Sequence, residues 1–170
     1  ARNTTDLIRQ LHEKQKGLLG KKAKEWETIP FRRLVELAFN MHTNFARQKK
    51  MDYALDVALD DQKILAIEDE VERVLDQTIH NALKYTPEGG KVHVRAYLDA
   101  NRAVMSVRDN GIGIPKEVQR DLFALFFRTE AAKAVDPAGS GTGLYEDRKT
   151  MLKHGGDISF ESEGTGHGST

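Results

Sequence analysis

Two alternating apolar runs, Lys91–Leu98 and Ala103–Val107, are separated only by Asp99-Ala100-Asn101-Arg102, and this spacing narrows the fold more than any other feature of the chain. Alternation at period two marks strands with one buried face, and a short polar connection brings them together as an antiparallel hairpin. Elsewhere strand-like and helix-like periods take turns. Phe31, Leu34, Val35, Leu37, Ala38 and Phe39 repeat at helical spacing behind Pro30,. Met51–Leu59 sets Tyr53, Leu55, Val57 and Leu59 on one face of a strand, and Ile64–Ile67 reads as a second, short strand. From Glu68 to Lys84 the period is helical again, with Val71, Val74, Leu75, Thr78, Ile79 and Ala82 inward. The same reasoning predicts a helix over Pro115–Phe127, a small-residue loop over Ala131–Ser140, a helix over Leu144–Lys153 stopped by Gly155-Gly156, and a strand over Asp157–Glu161,. Helix–strand alternation alone suggests a parallel sheet; the hairpin makes it mixed, in an α/β architecture.

Before Pro30 the chain is less regular. Leu7, Ile8, Leu11, Leu18 and Leu19 give one loosely helical stripe, and Lys21-Lys22-Ala23-Lys24 reads as a solvated linker,. Lys+Arg and Asp+Glu balance at 26 each, which argues against a dedicated nucleic-acid binder,. Cys is absent, so disulfide frameworks, thiolate zinc sites and Cys nucleophiles are excluded,. No apolar run approaches the length of a membrane span, and Ala1–Gln10 has no signal-peptide core; a cytoplasmic setting without membrane contact is expected,.

Glycine recurs in three clusters: Asp109-Asn110-Gly111-Ile112-Gly113-Ile114-Pro115, Gly139-Ser140-Gly141-Thr142-Gly143-Leu144, and Gly164–Gly168. Glycine at alternate positions lets backbone approach a ligand closely. The second cluster runs into a helix, whose first N–H groups suit an anion such as phosphate. Asp109 ends a strand and can accept a charge-assisted hydrogen bond from an exocyclic amine. Gln77, Asn81 and Lys84, at i, i+4 and i+7, project from one helix face,. An amide oxygen there is a suitable hard ligand for Mg²⁺ beside phosphate oxygens and water, with Lys84 neutralising phosphate and Tyr85 packing on a base.

These clusters, in this order, resemble the motifs of the sensor histidine kinases. His80-Asn81-Ala82-Leu83-Lys84-Tyr85-Thr86-Pro87 looks like their N box, Asp109–Pro115 their G1 box, Leu122-Phe123-Ala124-Leu125-Phe126-Phe127-Arg128 their F box, and Gly139–Leu144 their G2 box. His154-Gly155-Gly156 and Gly166-His167-Gly168-Ser169-Thr170 are similar to the family's closing helix stop and final adenine-side motif. The resemblance covers roughly Ile29–Thr170 and implies the Bergerat ATP-binding fold, a two-layer sandwich of a mixed sheet backed by three helices, over residues 29–170. Residues 1–28 then fall where the end of a dimerisation and phosphoacceptor hairpin and its linker would lie.

The resemblance further implies ATP and Mg²⁺ as ligands. Asp109 would read the adenine amine, with Gly111, Gly113 and Ile114 alongside the base. Asn81 would hold Mg²⁺, and Lys84 and Tyr85 would flank the nucleotide. Gly139, Ser140, Gly141, Thr142, Gly143 and Leu144 would close around the phosphates. Arg128 would open a lid over residues 128–140 and reach the γ-phosphate, and Thr170 would lie near Asp109. The lid's Ala131, Ala132, Ala134, Pro137 and Ala138 offer little to anchor it,. The implied partners are a phosphoacceptor histidine domain, a response-regulator receiver domain and, for the parent protein, a second copy. His12-Glu13 matches only the opening of the phosphoacceptor motif, so His12 reads as a surface residue and the chain is not expected to phosphorylate itself.

Two positions depart from the family pattern. Gln77 stands where the family usually carries Asn, or an acid in its ATP-hydrolysing relatives, and Gln is no general base. Glu146-Asp147 stands where two apolar residues usually continue the helix. If both face solvent they complement the helix dipole; if both face the core they cost several kcal/mol and loosen the phosphate loop. Three functions are therefore weighed: a phosphotransferase domain, a non-catalytic ATP-binding module, and a gyrase- or chaperone-like ATPase, which the F-box match and the missing acid at position 77 disfavour.

Overall fold

The computed structural model describes residues 25–170; the helix and basic linker expected before Glu25 lie outside them. β1 (Glu27–Pro30) runs into α1 (Phe31–Met41), with Pro30 at the N-cap, and buries Phe31, Leu34, Val35 and Ala38 at the expected i, i+3, i+4, i+7 spacing,. α2 (Thr43–Gln48), β2 (Asp52–Ala58) and β3 (Lys63–Ala66) lead to α3 (Glu68–Tyr85), which buries Val71, Val74, Leu75, Ile79, Ala82 and Leu83. The hairpin follows as β4 (Lys91–Asp99) and β5 (Arg102–Asp109), then α4 (Glu130–Val135) and α5 (Gly143–Lys153).

β4 is the centre of a mixed three-stranded sheet. It pairs parallel to β2 and antiparallel to β5, so the hairpin does make the sheet mixed. Val92, Val94 and Ala96 face the helices, while Lys91, His93 and Arg95 face outward. The outward pairs Lys91–Asp52 (3.4 Å) and Arg95–Asp56 (3.1 Å) sit directly across from one another and reinforce the β2–β4 register,. The strands extend to Asp99 and Arg102, so the turn is only Ala100-Asn101, with Ala100 at φ +51°.

β1 and β3 form a separate antiparallel pair instead of joining that sheet. On the inner side α1 packs along α3, and α5 packs on α3 as well. Two side chains join these elements. The Lys49 ammonium, its pKa lowered by burial, donates to the carbonyls of Leu83 (2.7 Å) and Thr86 (2.6 Å) and closes the C-terminus of α3,. His154 accepts from the Ile67 N–H through Nε2 (3.1 Å) and bonds the Thr150 carbonyl through Nδ1 (2.8 Å), which stitches the end of α5 to the start of α3.

Three expectations fail. The helix over Pro115–Phe127 is only a 3₁₀ turn, Lys116–Asp121, followed by irregular chain in which Phe126 takes φ +64°. Gln119 Nε2 ties that turn to the nearby Ile114 carbonyl and to the distant Ser162 carbonyl, both at 3.0 Å, and this anchoring outweighs the helical period. The stretch expected as a loop contains α4, because Thr129 caps it by accepting from the Ala132 N–H (3.0 Å),. Asp157–Glu161 forms no strand: its backbone pairing is confined to Glu161, which exchanges two 2.9 Å bonds with Thr170.

Candidate functional site

One face of α3, the end of β5, the chain after it and the start of α5 enclose a cleft of about 520 Å³. Gln77, Asn81, Lys84 and Tyr85 line it from α3, as their spacing requires,. Asp109 lines it from the end of β5, Gly113 and Ile114 from the loop that follows, and Gly139, Ser140, Gly141, Thr142, Gly143 and Leu144 from the approach to α5 and its first residues. Arg128 and Thr170 complete the expected set. Gly111 is the exception: it is buried behind the wall, where a Cβ would stand 2.5 Å from the Tyr85 carbonyl. Gly113 is held still more tightly, since a Cβ there would meet the Gly164 carbonyl at 2.0 Å. These glycines press the loop against α3 and the Gly164–Gly168 turn.

Asp109 is braced on both oxygens. Oδ1 accepts from the Gly111 N–H (2.8 Å) and Oδ2 from the Ser169 hydroxyl (2.6 Å), while the Asp109 N–H bonds the Ser169 carbonyl (2.9 Å). Thr170 lines the same cleft, one residue beyond the Ser169 that bridges Asp109, and its backbone pairs with Glu161. The carboxylate lines the cleft, and its two oxygens retain acceptor capacity beyond these two bonds,.

At the other end, Gly143 opens α5 with Gln77 Nε2 at 2.9 Å from where its Cβ would be, so Gln77 packs under the glycine loop. Ser140 and Thr142 hydroxyls bond one another (2.7 Å) beside the helix's first N–H groups. The Asn81 carboxamide makes no hydrogen bond to a described residue and is free to ligate. Among the described residues no three His, Asp or Glu side chains cluster as a metal site. A Mg²⁺ here would therefore take one protein oxygen, from Asn81, and complete its shell with phosphate oxygens and water, a fit to its octahedral preference.

The stretch 128–140, expected as a lid, is better anchored than its alanines suggest. Arg128 donates to the carbonyls of Gly139 (2.7 Å), Ala132 (2.9 Å) and Asp136, and Lys84 forms an ion pair with the Asp136 carboxylate. Neither Asp136 nor Ser169 was legible as a site residue, because only the folded chain brings them to Lys84 and Asp109.

Glu146 and Asp147 part company. Glu146 is exposed on the cleft wall in the first turn of α5, whereas Asp147 is fully buried between α5 and α3. Asp147 Oδ1 accepts from half-exposed Arg73 at 2.8 Å, and Oδ2 has no partner. Burial pushes this carboxyl up to about 6 against the pull of Arg73. Because that value lies above the roughly 3.9 of an unfolded Asp, its contribution to stability is full below about pH 4 and lost as pH rises through 6,. Asp147→Val leaves an arginine that reaches water, so it should stabilise by about 1–3 kcal/mol at pH 8, with the gain shrinking toward pH 4. Thermal melts of both proteins from pH 4 to 8 check this; a difference independent of pH would contradict it.

A sequence profile of the histidine kinase-, DNA gyrase B-, and HSP90-like ATPases matches residues 66–170. The sensor histidine kinase WalK of Bacillus subtilis is 37% identical over 84% of this chain, which spans about a quarter (24%) of WalK's length. The solved catalytic domain of histidine kinase ThkA superposes with TM-score 0.73 at 25% identity, over 85% of this chain and 92% of that domain. ThkA in complex with response regulator protein TrrA superposes with TM-score 0.68 at 20% identity, over 97% of this chain and 46% of that one.

Proposed function

This chain belongs to the histidine kinase-, DNA gyrase B-, and HSP90-like ATPase family, as a sensor histidine kinase catalytic domain, and from that membership we propose that it binds Mg·ATP and presents the γ-phosphoryl group to a histidine on a separate phosphoacceptor hairpin. The observation that carries the reading is the convergence on one cleft of a braced carboxylate, Asp109, at one end and of Asn81, Lys84 and the Gly139–Gly143 loop at the other.

Each group has a role in that reading. Asp109 accepts the adenine 6-amino hydrogen, and the N–H groups opening α5 meet phosphate oxygens. Lys84 and Arg128 balance the charge that spreads over the γ-phosphoryl oxygens. Asn81 would hold Mg²⁺, which when bound would supply charge neutralisation of the phosphates. The acceptor imidazole nitrogen forms a bond to the γ-phosphorus as the bond to the β–γ bridging oxygen breaks, and ADP leaves. Gln77, packed under Gly143 and without basicity, positions the loop and does not activate water, so transfer is favoured over hydrolysis,. ThkA is solved with a response regulator; we extend such a receiver domain to this chain's parent as the next acceptor.

Incubated with γ-labelled ATP, the chain alone should stay unlabelled, and adding its parent's phosphoacceptor hairpin should produce acid-labile, base-stable phosphate on the hairpin. Label on His12 would refute the assignment. Exposed Glu146 on the cleft wall favours a second reading, a non-catalytic ATP-binding module; nucleotide binding with no label on the hairpin would select it.

A further inference from the structure

Lys84 and Arg128, the cations assigned above to phosphate, are both directed at one acidic residue of the lid. The Asp136 carboxylate pairs with the Lys84 ammonium through Oδ2, and Arg128 Nη2 stands 4.0 Å from the same oxygen. Lys84 and Asp136 are each about three-quarters shielded, at 25% and 24% exposure, so this is no loose surface contact. Lys84 holds the Asp136 carboxyl below the usual carboxylate range. The lid is wound around this point: Arg128 binds the carbonyls of Ala132, Asp136 and Gly139, and a Cβ on Gly139 would come within 2.7 Å of Asp136 Oδ2.

A carboxylate oxygen and a phosphate oxygen make the same charge-assisted bond to an ammonium group. We propose that Asp136 is an internal occupant of the phosphate subsite, latching the lid onto Lys84 until the phosphates of a nucleotide displace it. The inference rests on the nucleotide-binding reading and adds a selectivity to it. A ligand with β- and γ-phosphates competes for Lys84 and releases the latch, whereas adenosine offers Lys84 nothing and leaves it closed. The cleft thereby discriminates by charge at one end as it does by base at the other.

The test compares wild type with Asp136→Asn and Asp136→Glu. Removing the charge should tighten binding of the non-hydrolysable analogue AMP-PNP by about three- to tenfold, as loss of a partly shielded ion pair implies, and leave adenosine unchanged. Asp136→Glu should behave as wild type. AMP-PNP affinity that is unchanged or weaker in Asp136→Asn would overturn the latch and make Asp136 a bystander or a ligand-side residue. Without nucleotide, Asp136→Asn should also accelerate hydrogen exchange over residues 130–141. That readout needs no binding: if wild type bound no adenine nucleotide the functional reading would fail, while unchanged exchange would overturn the latch itself.

Discussion

Replacing Asp109 with Asn is expected to weaken ATP binding by at least about tenfold while shifting the melting temperature by no more than a few degrees. The carboxylate is the cleft's built acceptor, braced by the Gly111 N–H and the Ser169 hydroxyl. In Asn one oxygen becomes an NH₂ donor, set against the adenine amine, which also donates. A lost charge-assisted bond of this kind costs about 1.5–3 kcal/mol. The braces survive, since the amide oxygen still accepts from Gly111 and the NH₂ can donate to the Ser169 hydroxyl, so the fold is spared. GTP turns a 6-oxo acceptor toward this position, so it should bind wild type several-fold more weakly than ATP, and the substitution should narrow that ratio. Calorimetric titration with both nucleotides checks the pair of expectations; ATP affinity unaltered in Asp109→Asn would remove Asp109 from the site.

Gly168→Ala should have the largest effect on the fold. Gly168 holds φ +69°, and a Cβ there would fall 2.0 Å from the Asp109 carbonyl oxygen and 2.8 Å from Asn110 Cα. Both neighbours are backbone, so neither can swing aside, and the bridge between Asp109 and Ser169 must open. A cost of about 3 kcal/mol or more is expected, together with loss of nucleotide binding. Gly155→Ala is the matched control. It shares the backbone conformation, φ +73°, but its Cβ meets nothing within 4 Å, so only the conformational cost of about 1–2 kcal/mol applies,. Urea unfolding of the two variants separates the terms, and equal destabilisation would contradict the close-approach account.

What could be read from the chain alone follows a physical divide. α1, α3 and the β4–β5 hairpin were legible because each is fixed by a local period, and the Gln77, Asn81, Lys84 face follows from helix geometry. The Lys49 cap on α3, the His154 stitch between α5 and α3, and the Ser169 brace on Asp109 depend on partners far away in the chain. The helix expected over 115–127 failed for that reason: its period is real, but Leu122, Phe123 and Phe127 use it to line the cleft. Glu146 and Asp147 are adjacent in the chain, and the fold sends one to solvent and the other inward. The departure from apolar residues at 146 and 147 signals that a carboxylate could be buried, but which of the two is buried follows only from the fold, which sets Arg73 of α3 beside Asp147.

If one cleft carries an adenine acceptor at Asp109 and a phosphate end at Asn81, Lys84 and the glycine loop, nucleotide binding must depend on both the base and the metal-bound phosphates. Titration of the whole chain with AMP-PNP, with and without Mg²⁺, and with GMP-PNP, tests it most directly. Binding of AMP-PNP that strengthens with Mg²⁺ and exceeds that of GMP-PNP several-fold is the predicted result. Equal affinity for the two nucleotides, or binding of neither, would contradict it.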